Sequence, residues 1–71
     1  MYKLVIEYAQ SDLTHWEQSA LTGRVSEWLS NYEVYGCQCG KNVIMFDTDR
    51  MRSDAWMWLC DQAQVAGLRL G

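Results

Sequence analysis

Proline is absent from this chain of 71 residues, and neither a run of like charges nor a long apolar run occurs in it. Without proline, and with no repeated or low-complexity segment, the sequence shows no domain boundary. We therefore expect one small domain that comprises residues 1–71. A membrane-spanning helix needs about 20 apolar residues, which no stretch approaches. Met1 leads directly into a strand-like segment instead of a signal peptide, so we expect a cytoplasmic protein without membrane contact.

Basic residues are also scarce. The six lysines and arginines are outnumbered by nine acidic residues, which gives a net charge of −3. A nucleic-acid-binding protein needs a basic face that displaces counterions from phosphates. The sequence therefore predicts a small acidic protein that does not bind nucleic acid directly.

Candidate metal ligands are few, since the chain has three cysteines and one histidine. Cys37 and Cys39 would point to the same face of an extended strand. Together with Cys60 and His15 they would complete a four-ligand zinc set, but the paired cysteine spacing of zinc sites is missing. We predict free thiols that pack as small apolar side chains, with neither metal nor cofactor. A metal or redox module built on the three cysteines is an alternative.

Aromatic residues, by contrast, are plentiful. Apolar residues make up 49% of the sequence and aromatic residues 13%, which is enough for a packed core. A domain of this size buries only about 60% of the surface that its unfolded chain exposes. The four tryptophans are therefore not all expected inside, and a surface tryptophan is typical of binding hot spots.

The first third of the chain predicts a strand followed by a helix. Alternation of apolar and polar residues from Tyr2 to Tyr8 indicates a strand with one buried face. Thr14 and Glu17 have the spacing of a capping box, so helix 1 should begin between Ser11 and Thr14 and end near residues 30–31. We expect its inner face to carry Leu21, Val25, Trp28 and Leu29.

Residues 32–47 are typical of a β-hairpin. Two runs rich in aromatic and β-branched residues flank a connection at residues 40–42 that contains glycine. The second run is apolar at every position from Val43 to Phe46. It should therefore be buried on both faces and lie in the centre of a sheet.

A second helix and a short strand are predicted after the hairpin. Thr48 or Asp49 stands where a helix N-cap is wanted, and Gly67 is a natural residue to end the helix. Residues 68–70 can form a brief last strand. One helical arc joins Ala55, Trp56, Leu59, Ala63 and Ala66, which we take as the buried face.

This order of elements predicts an α+β, ferredoxin-like βαββαβ fold. Two helices would lie on one face of a four-stranded antiparallel sheet, with strands 1 and 3 central and strands 2 and 4 at the edges. If the last residues were only a helix tail, the fold would be βαββα with a three-stranded sheet.

One motif resembles a catalytic one. The segment from Val43 to Asp49 resembles the first motif of haloacid-dehalogenase-type phosphatases, and the resemblance implies Asp47 as nucleophile and Asp49 as general acid/base. Those enzymes also need a later lysine, and no lysine follows Asp49. We instead predict that Asp47 ends a strand and that Asp49 favours the positive N-terminus of helix 2. No catalytic residue is predicted.

Two aromatic stripes are the strongest functional signal. One comprises Leu13, Trp16 and Ala20, and the other comprises Met51, Trp58 and Val65. Helix-to-helix packing would explain both, but they can also form an apolar patch for a partner or a homodimer. Tyr35 would add an aromatic side chain on edge strand 2. The predicted contact residues are Trp16, Trp58, Met51, Tyr35, Leu13 and Val65.

The sequence thus predicts a non-enzymatic protein–protein interaction module. Such small acidic chains suggest an inhibitor of a host or defence complex, encoded by a phage or a mobile element. A homodimeric structural or small-ligand-binding domain is the alternative, through the open sheet face or an edge strand.

Overall fold

Four strands form a single antiparallel sheet, and two helices cover one of its faces. The computed structural model describes residues 1–71. Its elements are β1 (Tyr2–Tyr8), α1 (His15–Ser30), β2 (Gly36–Gly40), β3 (Val43–Phe46), α2 (Asp49–Leu59) and β4 (Val65–Leu70). The strand order is β2-β3-β1-β4, and all three strand pairs are antiparallel. The predicted ferredoxin-like βαββαβ fold is confirmed, and the three-stranded alternative is not.

Both helices begin at the kind of cap that the sequence predicts. Thr14 Oγ1 accepts a hydrogen bond from the Glu17 N–H at 3.1 Å, and Glu17 Oε1 accepts from the Thr14 N–H at 3.2 Å. At the start of α2, Thr48 Oγ1 accepts from the Met51 N–H at 3.1 Å. Thr48, and not Asp49, is therefore the N-cap of α2.

Helix α2 is shorter than predicted. It ends at Leu59, so Ala63 and Ala66 lie outside it and Gly67 lies within β4. The chain turns after Leu59 and returns as a six-residue strand in which Val65 pairs with Tyr8 of β1. Pairing with β1 satisfies backbone groups along a central strand, and this outweighs the helical pattern of the local sequence.

Strand β2 begins at Gly36, later than predicted, because the end of α1 continues into a turn. Glu33 adopts the left-handed conformation with φ of 62°, and the Val34 N–H donates to Leu29 O at 3.1 Å. This hydrogen bond is typical of a helix C-terminus that ends in a left-handed residue. It places the Val34 side chain in the core.

The core lies between the sheet and the two helices. Ile44 and Phe46 of β3 are fully buried there, whereas Val43 and Met45 are only half-buried on the opposite, uncovered face. Burial of β3 on both faces was thus a wrong prediction, since both helices lie on one side. The core comprises Leu4, Ile6, Val25, Leu29, Val34, Ile44, Phe46, Ala55 and Leu59.

The Thr22 hydroxyl joins three parts of the fold. Thr22 is 0% exposed, and its Oγ1 lies 2.6 Å from Tyr8 Oη, 2.9 Å from Gln18 O and 2.5 Å from Lys41 O. A hydroxyl has one proton, so Thr22 donates to one carbonyl and accepts from Tyr8. Burial raises the pKa of Tyr8, and the hydrogen bond with Thr22 opposes this rise only in part.

Gly36 is the position where β2 tolerates no side chain. A Cβ atom there would lie 2.6 Å from Ile44 Cγ2 and 2.7 Å from Phe46 Cε1. At Gly40, in the same strand, the nearest atoms are those of Val43 at 3.9 Å.

We expect Gly36→Ala to lower the free energy of unfolding by about 1–3 kcal/mol, because the added methyl group overpacks a filled core. Gly40→Ala is the matched control and should change stability by less than about 0.5 kcal/mol. Urea denaturation followed by circular dichroism measures both. Equal midpoints for the two variants would contradict the close packing at Gly36.

The raised pKa of Tyr8 predicts a loss of stability at alkaline pH. The unfolded chain releases the Tyr8 proton near pH 10.0, whereas the folded protein retains it to higher pH. The contribution of Tyr8 is therefore fully present below that pH and is lost as the pH rises through the folded pKa. Tyr8→Phe should cost about 1 kcal/mol at neutral pH and show a smaller alkaline loss. Urea midpoints from about pH 8 to 11 test this, with Tyr35→Phe, at an exposed tyrosine, as control.

Candidate protein-binding surfaces

Trp16 is the most exposed large apolar side chain of the molecule. It lies in the first turn of α1 and is 81% exposed. Its ring meets only the edge of the His15 ring, with centroids 6.2 Å apart. The capping box at Thr14 and Glu17 holds this turn, so the indole stands on a rigid element.

A shallow hollow lies beside Trp16 on the same helix. Its volume is about 290 Å³, and Leu13, which is half-buried, forms one side of it. Ala20, one helical turn after Trp16 on the same side of α1, lines this hollow, whereas the indole itself lies outside its lining. The lining residues are Gln10, Leu13, Glu17, Ala20, Leu21 and Arg24.

A second hollow continues along α1, between this helix and the connection from α2 to β4. Its volume is about 360 Å³, and it shares Leu21 and Arg24 with the first hollow. Its residues are Leu21, Arg24, Val25, Trp28, Leu59, Gln62 and Gln64. We call the two hollows together the α1 groove. Along α1 the lining of the groove runs from Glu17 to Trp28, which is about 16 Å at about 1.5 Å per helical residue.

The chemistry of the α1 groove is an apolar floor with a polar rim. Leu21, Val25 and Leu59 supply the floor, while Arg24 and Gln62 bring hydrogen-bond donors to its side. The sequence pattern identified Leu13 and Ala20 but missed Gln62 and Gln64, because both were assigned to a helix that in fact ends earlier.

Trp58 belongs to an aromatic cluster within the chain. Its ring stacks on Tyr32 with centroids 4.2 Å apart and meets the edge of Trp28 at 6.1 Å. Trp28 and Tyr32 are also in edge contact, at 5.1 Å. Trp58 is 42% exposed, and it joins α2 to the end of α1. Helix-to-helix packing thus explains Trp58 but leaves Trp16 unexplained.

The predicted stripe of Met51, Trp58 and Val65 does not exist on one helix. Val65 lies in β4 because α2 ends at Leu59. Met51 and Val65 are each half-buried and pack against the core. Tyr35 is exposed just before β2, beside a small hollow near Cys37 and Met45.

The polar residues singled out for chemistry are dispersed. Cys37, Cys39 and Cys60 are free and exposed, so the prediction that the thiols pack as small apolar side chains was wrong. No group of three potential ligand side chains is close enough to hold a metal. Asp49 forms an ion pair with Arg52 at 2.6 Å in the first turn of α2. Neither helix is long and apolar enough to span a bilayer.

Trp16 and Trp58 should differ in what they do for stability. Trp16→Ala should change the free energy of unfolding by less than about 0.5 kcal/mol, because the indole packs on almost nothing. Trp58→Ala should lower it by about 1–2 kcal/mol through loss of the aromatic stack and partial burial. Thermal and urea unfolding of both variants measure the difference. A larger loss of stability for Trp16→Ala than for Trp58→Ala would contradict the conclusion that Trp58 is the tryptophan that stabilises the fold.

Comparison with protein-family models, with curated proteins and with solved structures finds no match for this chain. No relative supplies a function, so the exposed surfaces of the molecule carry the functional inference.

Proposed function

We propose that the chain is a non-enzymatic protein–protein interaction module that binds a protein partner with Trp16 and the α1 groove. The observation that supports this proposal best is the 81% exposure of an indole on a capped helix. Exposing so large an apolar surface to water is unfavourable unless a partner covers it. Tryptophan is also among the residues most enriched at binding hot spots.

The shape of the α1 groove suits an amphipathic helix of the partner. At about 16 Å it accommodates roughly three helical turns, whose apolar residues would lie on Leu21 and Trp28. Arg24 and the two glutamines at the rim would hydrogen-bond to polar groups of the partner. The positive charge of Arg24 on the rim favours an acidic group of the partner at that point.

A binding role of this kind needs no catalytic group. It fits an inhibitor that acts by covering the working surface of its target, such as a phage- or mobile-element-encoded protein directed at a host or defence complex. Three free cysteines on the surface favour a reducing compartment, and we assign the protein to the cytoplasm. Of the predicted contact residues, Trp16 and Leu13 belong to this surface.

Substitution of Trp16 tests the proposal. The wild-type protein and Trp16→Ala are immobilised and used to capture proteins from a lysate of the source cells, with quantitative mass spectrometry of what is retained. A partner bound through a hot spot should be depleted about 30-fold on the Trp16→Ala matrix, corresponding to about 2 kcal/mol. Calorimetry with the purified partner then gives the dissociation constants.

Two further variants make this experiment specific. Arg24→Glu reverses a charge on the rim of the α1 groove and should weaken the same partner. Tyr35→Ala removes an exposed aromatic side chain outside the groove and should not. Retention of every captured protein by both Trp16→Ala and Arg24→Glu would contradict the proposed surface.

A further inference from the structure

The free edge of β4 offers unpaired backbone groups. Gly71 donates its N–H to Lys3 O at 3.1 Å, so Gly71 directs its backbone polar groups toward β1. Residues of an antiparallel strand alternate in this direction. Arg69 and Gly67 therefore also point toward β1, where they face Val5 and Glu7. The N–H and C=O groups of the alternate residues Leu68 and Leu70 point away from the sheet, whereas Ala66 lies at an irregularity in the register opposite Glu7 and Tyr8.

The opposite edge of the sheet, formed by β2, is protected. Ser26 Oγ donates to Gly36 O at 3.3 Å. The Gln38 amide donates to Ser19 O at 2.9 Å and to Gly40 O at 3.1 Å. An irregular register between Gln38 and Gly40 further interrupts this edge. Bulges and side chains that occupy backbone groups are the usual means of preventing strand addition. β4 has one irregularity, at Ala66, but no side chain hydrogen-bonds to its backbone groups from Gly67 to Leu70.

Apolar side chains accompany the free edge. A hollow of about 420 Å³ lies between α2 and β4. Met57 on α2 is 68% exposed, and Leu70 on β4 is 59% exposed. Both line the hollow beside the half-buried Trp56. The edge therefore combines unpaired hydrogen-bonding groups with an apolar flank.

We propose that a second copy of this chain pairs with β4, antiparallel and about a two-fold axis at Leu68. The two sheets then form one continuous eight-stranded sheet with all helices on the same face. In this register Leu68 faces the partner's Leu68, and Leu70 faces the partner's Ala66. The two Leu68 residues thereby exchange both of their backbone hydrogen bonds, and Leu70 of each copy lies beside the irregular Ala66 of the other.

Charge complementarity favours a second copy as the occupant. Arg69 forms an exposed ion pair with Glu7 at 2.9 Å on the uncovered face of the sheet. In the proposed register Arg69 faces the partner's Gly67, which has no side chain to obstruct it. Gly67 pairs with Glu7 in its own chain, so the Arg69 guanidinium can reach the partner's Glu7 across that glycine. Each Arg69 would thus lie between two Glu7 side chains, its own and the partner's, so that charges of opposite sign alternate across the axis.

The alternative register centred on Arg69 is unfavourable. It would place two guanidinium groups directly opposite each other, and like charges in that position destabilise a strand pair. The proposed pairing also covers the exposed Met57 and Leu70 side chains in both copies. The interface is small beside the ~800 Å² per partner of a standard complex. We therefore expect dimerisation in the micromolar range.

Sedimentation of the purified chain from low micromolar to millimolar concentration tests the proposal. The wild-type protein should pass from monomer to dimer. Leu70→Lys places a charge in the apolar flank and should raise the dissociation constant at least about tenfold. Cys39→Lys makes the same kind of change on the β2 edge and should leave the constant unchanged. Circular dichroism verifies that both variants are folded.

Disulfide trapping tests the register independently of the charge variants. The starting protein carries Cys37→Ser, Cys39→Ser and Cys60→Ser, at three exposed positions. Added Leu68→Cys should form a covalent dimer on mild oxidation, because paired Cα atoms lie about 5.5 Å apart across such an axis. Added Arg69→Cys should not, because its Cα atoms would be about 8 Å apart.

A wild-type chain that stays monomeric at millimolar concentration would overturn the proposal, and so would a dimer that Leu70→Lys leaves intact and Leu68→Cys fails to trap. If this edge instead binds a strand of another protein, the purified chain should stay monomeric, which is the first of these results.

Discussion

The hydrogen bonds of one buried hydroxyl constrain the whole arrangement of layers. Thr22 is the only polar residue in the buried set, and it contacts β1 through Tyr8 and the β2–β3 turn through the Lys41 carbonyl. A buried carbonyl or phenol without a partner is costly, so α1 can slide or rotate over the sheet only by breaking these bonds. The direction of α1 sets the line of the α1 groove. The surface that carries Trp16 is therefore positioned by an interaction well inside the molecule.

The two exposed apolar surfaces have different structural origins. Trp16 is exposed because it lies in the first turn of α1, which begins at the capping box outside the part of the helix that covers the sheet. Met57 and Leu70 are exposed because α2 packs over β1 and β3, which leaves the helix side of β4 uncovered. One surface follows from a helix start and the other from the strand order. A substitution at either one can therefore leave the other intact.

Local signals in the sequence predicted the strands and helix starts, whereas long-range pairing decided where α2 ends. The alternation through Tyr8 and the cap at Thr14 depend on neighbours in sequence, and both were confirmed. Val65 follows a helical pattern locally but pairs with Tyr8, far away in the chain. Leu13 and Trp16 were identified because the start of α1 was correct. Gln62 and Leu70 were missed as surface residues of the two hollows that they line. The strand order creates these hollows, and it leaves no periodic pattern in the sequence.

The strand order also has a consequence for synthesis. β1 is a central strand, yet its two neighbours are β3 and β4, both encoded after α1. As the ribosome makes the chain, Leu4 and Ile6 emerge long before any strand that can pair with them. Contacts between segments so distant in sequence make folding slow relative to a helical bundle of equal size. The nascent chain must therefore keep an apolar strand unpaired until β3 has left the ribosomal tunnel, and one edge of that strand stays open until β4 follows. During that interval chaperones can bind it.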